Sequence, residues 1–373
     1  MPWPNVVYSE EVMREGFGIE DARIPLEARL ALIEALSETG LKRITLGAFV
    51  SPRFVPQMAC FEELLRRLRP RNGVKYLAFI HNEKARQLAE QYAPPLTVEA
   101  KSFALFIDVC DIHQRRNVNR SIEQAMAGWP DAVMEARERG VTEAGIGIAS
   151  AWGSNFSGKF TQRYCMSFLE RQADLLESAG IAVTEIALHD SQSWCVPHEM
   201  EPYLVAVRNH WPKVRRFHFH MHNARGMALP SIYAALRNLA PEHTVLLEGT
   251  LGGIGGGQYC GNGTASGMAA TEDLLHMLEG MGIETGVDLD KIIDCVWMLE
   301  RTIGRAAFGA VSRAGPRPSH ARLYDPNLPA IESTAAARHF KLGGAAYETE
   351  GYSPWRQPIS GPFWQGLEAP LIK

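Results

Sequence analysis

Residues 217–228 read FHFHMHNARGMA, with histidines at alternate positions, His218, His220 and His222, before a polar turn that ends in Gly226. Alternation with a period of two is the signature of a β-strand, in which residues i and i+2 point to the same side. The stretch therefore reads as a strand carrying three imidazoles on one face. It is one of a series. Short apolar runs rich in β-branched residues lie at 5–12, 42–49, 74–80, 101–109, 143–150, 182–189, 215–222 and 243–250, with segments of helical periodicity between them. Strands alternating with helices predict a parallel sheet built from βα units. Leu30, Leu32, Ile33 and Leu36 share one face of a helix over 25–40 that Gly40 stops. Comparable helices are expected near 55–68, 84–92, 118–139, 160–179, 197–210, 228–239 and 271–281. Eight such units over about 280 residues match the size of a (β/α)8 TIM barrel. A doubly wound sheet is the alternative, but the Gly-rich dinucleotide turn that would follow its first strand is absent.

Composition narrows the function classes. The 373 residues are 46% hydrophobic and 21% charged, ordinary for a globular chain with a substantial core, and the net charge is −4. No Lys/Arg cluster alternates with aromatics, which argues against a nucleic-acid partner. The six cysteines are far apart, form no CxxC pair and fit reduced thiols better than a disulfide framework. The N-terminus has no basic region followed by an apolar run, and no stretch of about 18 apolar residues occurs, so no membrane segment is expected. These features predict a soluble, cytoplasmic protein. From about residue 312 periodicity is lost, and ETEGYSPWRQPISGPFW (348–364) is rich in proline and aromatics. We expect a barrel over 1–310 and a C-terminal aromatic-rich extension over 311–373 that packs on the barrel or on a partner subunit.

In such a barrel the reactive groups stand at the C-terminal ends of the strands, which fixes where to look. The seventh strand ends in His220 and His222, close enough to share a divalent ion, while His218 lies deeper and reads as structural. Spacing alone leaves both metal ligation and hydrogen-bonded structural roles open for His220 and His222. The first strand leads into Arg14 and Glu15 in MREG, where Gly16 lets the chain turn away; an exposed Arg/Glu pair is the bland alternative. The Gly-rich segment 252–263 can approach a ligand closely but lacks the lysine of a phosphate loop. It carries Cys260, a candidate nucleophile or acid, and Asn262.

AFVSPRFVPQM (48–58), HMHNARGMAL (220–229), LGGIGGGQY (251–259) and MAATEDLLHMLEGMGIETGV (268–287) resemble, in this order, the 3-hydroxy-3-methylglutaryl-CoA lyase branch of the DRE-TIM metallolyases. That superfamily also holds isopropylmalate, homocitrate and citramalate synthases and pyruvate carboxyltransferase-type domains. The resemblance runs from about residue 6 to 305. It implies that Arg14 stabilises an enolate oxygen, and that Glu15, in the place of an aspartate, ligates a divalent metal with His220 and His222. Mg or Mn is the metal so implied, and Zn also fits. It further implies that His220 shuttles a proton and that Asp190, in LHDSQSW, supports the site or contacts substrate. Three family positions are replaced, a glutamate by Thr45, a loop cysteine by Gly257 and a metal-contacting asparagine by Met268. The loop carries an insertion with Cys260 and Asn262, which we take as substitutes for the missing groups. Trp152, Phe156 and Trp194 stand where the lyases have smaller residues, which implies a changed acyl group.

The resemblance makes three functions worth weighing. The first is a metal-dependent carbon–carbon lyase that cleaves a 3-hydroxyacyl-CoA by retro-aldol or Claisen chemistry, catalysed by Arg14, His220 and Cys260, with Asp190, Trp152 and Asn262 against the substrate. The second is a synthase running the condensation of an acyl-CoA with a 2-oxo acid. The third is a barrel that has lost its chemistry and serves as a binding subunit. A homodimer is implied in each case.

Overall fold

The computed structural model describes residues 2–99, 101–256, 259–260, 267–318 and 323. Eight parallel strands curl into one sheet: β1 (Asn5–Glu10), β2 (Arg43–Ala48), β3 (Lys75–Phe79), β4 (Ala104–Asp108), β5 (Glu143–Ala149), β6 (Ala182–Asp190), β7 (Arg216–Met221) and β8 (Thr244–Gly249). Their order is β3-β2-β1-β8-β7-β6-β5-β4, so the first and last strands are neighbours, as in a barrel. Among the described residues no ladder joins β3 to β4, and the wall has a seam there. Phe79 and Phe106, one on each side of that seam, are 45% and 41% exposed.

Alternation along each strand sorts side chains between the helices outside and the lumen inside. On β7, Phe217, Phe219 and Met221 face outward and are at most 1% exposed. Burial of each such side chain contributes roughly 1.5–3 kcal/mol. The same alternation leaves His218 and His220 pointing inward. Parallel register then fixes their neighbours: His220 pairs with His189 of β6 and with Glu248 of β8, and Glu248 in turn pairs with Ser9 of β1. One layer of the lumen is therefore polar across four adjacent strands.

Several local expectations are corrected. The first strand stops at Glu10, and Val12–Gly16 forms a single wide helical turn, so Arg14 and Glu15 stand on a turn rather than on the strand. The single helix expected over 118–139 is two, Ile122–Ala127 and Trp129–Glu138, because Ser121 caps one start and Pro130 allows another, and a further helix, Asp111–Val118, precedes them. A small antiparallel pair, Gly153–Ser154 with Gly158–Lys159, follows β5. Thr271–Gly280 is followed by a second long helix, Leu289–Ile303, which was not expected. At the start of the expected extension, Asp273 accepts the backbone N–H groups of Ala310 and Val311 and so caps the turn Val311–Ala314. Most of the remainder of 311–373 lies outside the described residues.

Glu10 ties the exit of the first strand to that of the last. Its fully buried carboxylate accepts from the backbone N–H of Val12 and of Leu251, each at 2.9 Å, and from the Thr271 hydroxyl at 2.6 Å. Burial nevertheless pushes its carboxyl up from 4.5 to about 7. A raised folded-state value means that this stabilisation is complete below pH 4.5 and is lost as pH rises through 7. Gln at this position keeps the oxygen that receives the two N–H groups. Glu10→Gln is therefore expected to gain on the order of 1–3 kcal/mol over the parent chain between pH 5 and pH 8. Denaturant melts at the two pH values check this, and equal pH slopes for both proteins would refute it.

Candidate metal centre

The site forms where the exits of β1, β7 and β8 meet. The turn after β1 is held by one carbonyl, since the N–H groups of Arg14, Glu15 and Gly16 all reach Glu11 O at 3.1, 2.8 and 3.3 Å. The glycine loop after β8 presses on it from the side. Gly255 has φ +95°, and a Cβ there would lie 2.6 Å from Glu15 O, so only glycine lets the loop pass this close. Together these contacts bring Glu15 over to β7.

There, one ligand atom each from Glu15, His220 and His222 lies within 4.8 Å of the others. The Nε2 atoms of His220 and His222 are 3.1 Å apart, and His222 Nε2 is 3.7 Å from Glu15 Oε1. Glu248 takes the Nδ1–H of His220 at 2.6 Å, which fixes the tautomer and leaves the Nε2 lone pair facing His222. Burial, then His220, pushes His222 down to about 3. Its Nδ1 lies 3.2 Å from the Cys260 sulfur, which can accept that N–H. Two imidazole lone pairs and a carboxylate converging on one point fit a divalent cation of borderline character. Glu15, one methylene longer than an aspartate, reaches the imidazoles.

Beside this corner Arg14 donates to Glu15 Oε2 at 2.6 Å, lies 3.9 Å from Glu11 Oε2 and stacks over Phe79 with 4.4 Å to the ring centre. Burial pushes Glu15 up, but Arg14 and the two histidines outweigh it and hold the carboxyl below its ordinary value. Glu248 is likewise opposed by burial yet held well below its usual range by His218 and His220. His218 Nε2 is 3.1 Å from Glu248 Oε1, so the deeper histidine supports the carboxylate that supports His220.

Arg14, Glu15, His220, His222 and Cys260 are brought together, and the other expected residues are not all with them. Asp190 is 1% exposed, and its two oxygens receive the N–H groups of Trp194 and Cys195, each at 2.8 Å. It shapes the loop after β6. Trp152 is 3% exposed and packs on Tyr203 inside the hydrophobic core, because it falls on the outward side of the chain leaving β5. Asn262 lies outside the described residues. Of the three bulky aromatics, Phe156 and Trp194 do stand at the mouth: Tyr259 meets Phe156 edge-on at 5.5 Å, and Trp194 donates to Asn155 at 3.0 Å. Asn155 also donates to Tyr259 O at 2.9 Å, which pins the glycine loop beside Cys260.

Glu11, Glu248 and His189 were missed. Glu248 is legible once β7 and β8 are aligned, since it sits one step across from His220. Glu11 has a weaker signal. Thr45, which replaces a glutamate of the resembling lyases, donates its hydroxyl to Glu11 Oε1 at 2.5 Å, so a carboxylate is present there but comes from the exit of β1. Burial and Glu248 push the Glu11 carboxyl up, while Arg14 and the Thr45 hydroxyl pull it back. His189 stacks on His220 with ring centres 5.0 Å apart, and burial keeps it neutral.

Known proteins are similar to this chain along most of their length. Hydroxymethylglutaryl-CoA lyase from Pseudomonas mevalonii is 31% identical over 291 residues, 78% of this chain and 90% of its own. The mitochondrial hydroxymethylglutaryl-CoA lyase of Gallus gallus is 30% identical over 304 residues, 82% and 95% of the two chains. The structure of an HMG-CoA lyase from Acinetobacter baumannii, in complex with coenzyme A and 3-methylmalate, superposes with a TM-score of 0.70 at 27% identity, covering 87% of this chain and 98% of that one. The HMGL-like family profile matches residues 5–298, from the first residue of β1 into the last long helix, so the barrel that carries both halves of the metal corner is one continuous match and the chain belongs to the HMGL-like family.

Proposed function

We propose that the protein is a divalent-metal-dependent carbon–carbon lyase that cleaves a 3-hydroxyacyl-CoA related to 3-hydroxy-3-methylglutaryl-CoA. The observation that carries this reading is the convergence of Glu15, His220 and His222 with Arg14 beside them at the mouth of the barrel. The lyase relatives, and a neighbour solved with coenzyme A, support the thioester.

A divalent cation, when bound, supplies Lewis-acid polarisation of the substrate's hydroxyl and carbonyl oxygens. Arg14, always charged, takes up the negative charge that grows on the thioester oxygen as the carbon–carbon bond breaks and an enolate forms. Phe79 covers one face of the guanidinium and two carboxylates flank it, so its orientation is set before substrate arrives. Burial, Asp190 and Glu15 push Cys260 up to about 12. At neutral pH it is a thiol, suited to give a proton to the enolate carbon and unsuited to act as a standing nucleophile. Phe156 and Trp194 narrow the mouth and select a different acyl group from that of the relatives.

Mg or Mn is the metal that the family resemblance supports, and Zn also fits the two imidazoles. A cytosolic setting is supported by six free cysteines and by relatives that include a cytoplasmic lyase. No described helix is long and apolar enough to cross a membrane. We further infer a homodimer, with the segment 311–373 packed on the barrel or the partner.

Incubated with Mg or Mn and 3-hydroxy-3-methylglutaryl-CoA or a close analogue, the purified protein is expected to release acetyl-CoA, and a chelator is expected to abolish the reaction. Arg14→Met should lower kcat roughly 10²- to 10³-fold. Absence of acetyl-CoA from a panel of 3-hydroxyacyl-CoA thioesters would overturn the assignment. Elemental analysis gives a second check. His222→Ala should lose the stoichiometric ion, and Glu248→Gln should weaken its affinity about 10- to 100-fold through His220.

A further inference from the structure

Arg14 lies between two carboxylates that differ in how firmly they are held. Glu15 has its guanidinium partner and, among the described residues, no other side-chain hydrogen bond; its side chain is 17% exposed and it also faces the metal corner. Glu11 is the opposite case. Its side chain is 5% exposed, its Oε1 receives the hydroxyls of Thr45 at 2.5 Å and Ser9 at 3.4 Å, and its carbonyl anchors the whole turn. That leaves Oε2 turned toward Arg14 Nη1 at 3.9 Å. Among the described residues the other close contact of the guanidinium is a ring face, Phe79, which restrains its plane but not its rotation within that plane, while Glu248 attracts it from farther off.

A cation at Glu15, His220 and His222 would draw on Glu15 through Oε1, the oxygen nearest His222, while Arg14 holds Oε2, so the two share one carboxylate charge and the hold on Arg14 weakens. With that hold weakened, a guanidinium restrained otherwise by a ring face alone would swing, and misplacement by an ångström is costly for a group that must meet a developing charge. We propose that Glu11 is the positioning residue that keeps Arg14 aimed across the barrel mouth while a metal occupies Glu15. Thr45 acts through Glu11 by fixing its carboxylate. The inference rests on the lyase reading for its catalytic consequence but not for its geometry.

The test combines turnover with a binding measurement that needs no turnover. Glu11→Gln keeps the shape and the acceptor for Thr45 but puts an amide N–H donor in place of the acceptor oxygen facing Arg14. It is expected to lower kcat by roughly 10- to 100-fold with KM within about twofold, and to leave Mg affinity within about threefold. Oxalate, a planar dianion able to span the ion and the guanidinium, serves as the binding probe, titrated by calorimetry into the Mg-loaded full chain. Glu11→Gln should weaken oxalate about tenfold, yet cause no further loss in an Arg14→Ala background, because residues acting through one group are non-additive. Thr45→Val, which keeps the charge and frees its anchor, should give a smaller loss of the same kind and remains informative if Glu11→Gln folds poorly. Unchanged kcat and oxalate affinity in Glu11→Gln, or losses that add to those of Arg14→Ala, would overturn the proposal. If the parent chain cleaves no thioester, the lyase reading fails while the oxalate cycle still decides the role of Glu11.

Discussion

The alignment of β7 between β6 and β8 is the constraint on which everything at the site depends. It sets His220 in one row with His189 and Glu248, and it does so through backbone hydrogen bonds that carry no chemistry of their own. A slip of one residue would turn His218 and His220 of β7 outward and send Phe217, Phe219 and Met221 into the lumen. The apolar packing of the outer face therefore enforces the geometry of the inner one. Core and metal corner are two sides of the same register.

Electrostatics explains why the lumen can tolerate such a load. Glu11, Glu15 and Glu248 crowd around one arginine and a set of imidazoles, with Glu11, His220 and His222 buried and the rest partly so. Burying charges without partners is costly, and here every carboxylate has hydroxyl, imidazole or guanidinium partners. The partners are shared: Glu248 serves both His218 and His220, and Arg14 serves both Glu11 and Glu15. A shared network of this kind stiffens the donors in advance of any ligand, and stiffness is what a metal corner and an oxyanion donor both require.

Much of this was legible in the chain itself. Period-two alternation with β-branched residues located all eight strands, and the HxH pair named its own face, because both signals depend only on neighbours in sequence. The helical turn at Val12–Gly16 was not legible, since it is set by Glu10 and Glu11 reaching residues far along the chain. Glu248 stayed hidden because a single acid on a strand says nothing until the strand beside it is known. Glu11 hid for a different reason: the threonine that holds it reads as a lost glutamate, and only the fold shows the carboxylate arriving from the next strand. Trp152 misled because a loop position near a strand end does not say which way the side chain points. The seam between β3 and β4 leaves no mark in either strand's pattern.

The adjacency of the first and last strands also orders the events of folding. Glu10 bonds to Leu251 and Thr271, partners 241 and 261 residues away, and the ligand from the turn after β1 meets imidazoles on β7. Contacts of such sequence separation form late, after the intervening βα units have condensed. The arginine and the first acid of the corner come long before β8 in sequence, so the corner stays open until β8 has closed beside β1. The candidate metal corner thus arrives with the completed barrel and cannot nucleate it. Any ion those three ligand atoms hold would in effect report that the whole sheet, from first strand to last, has been assembled.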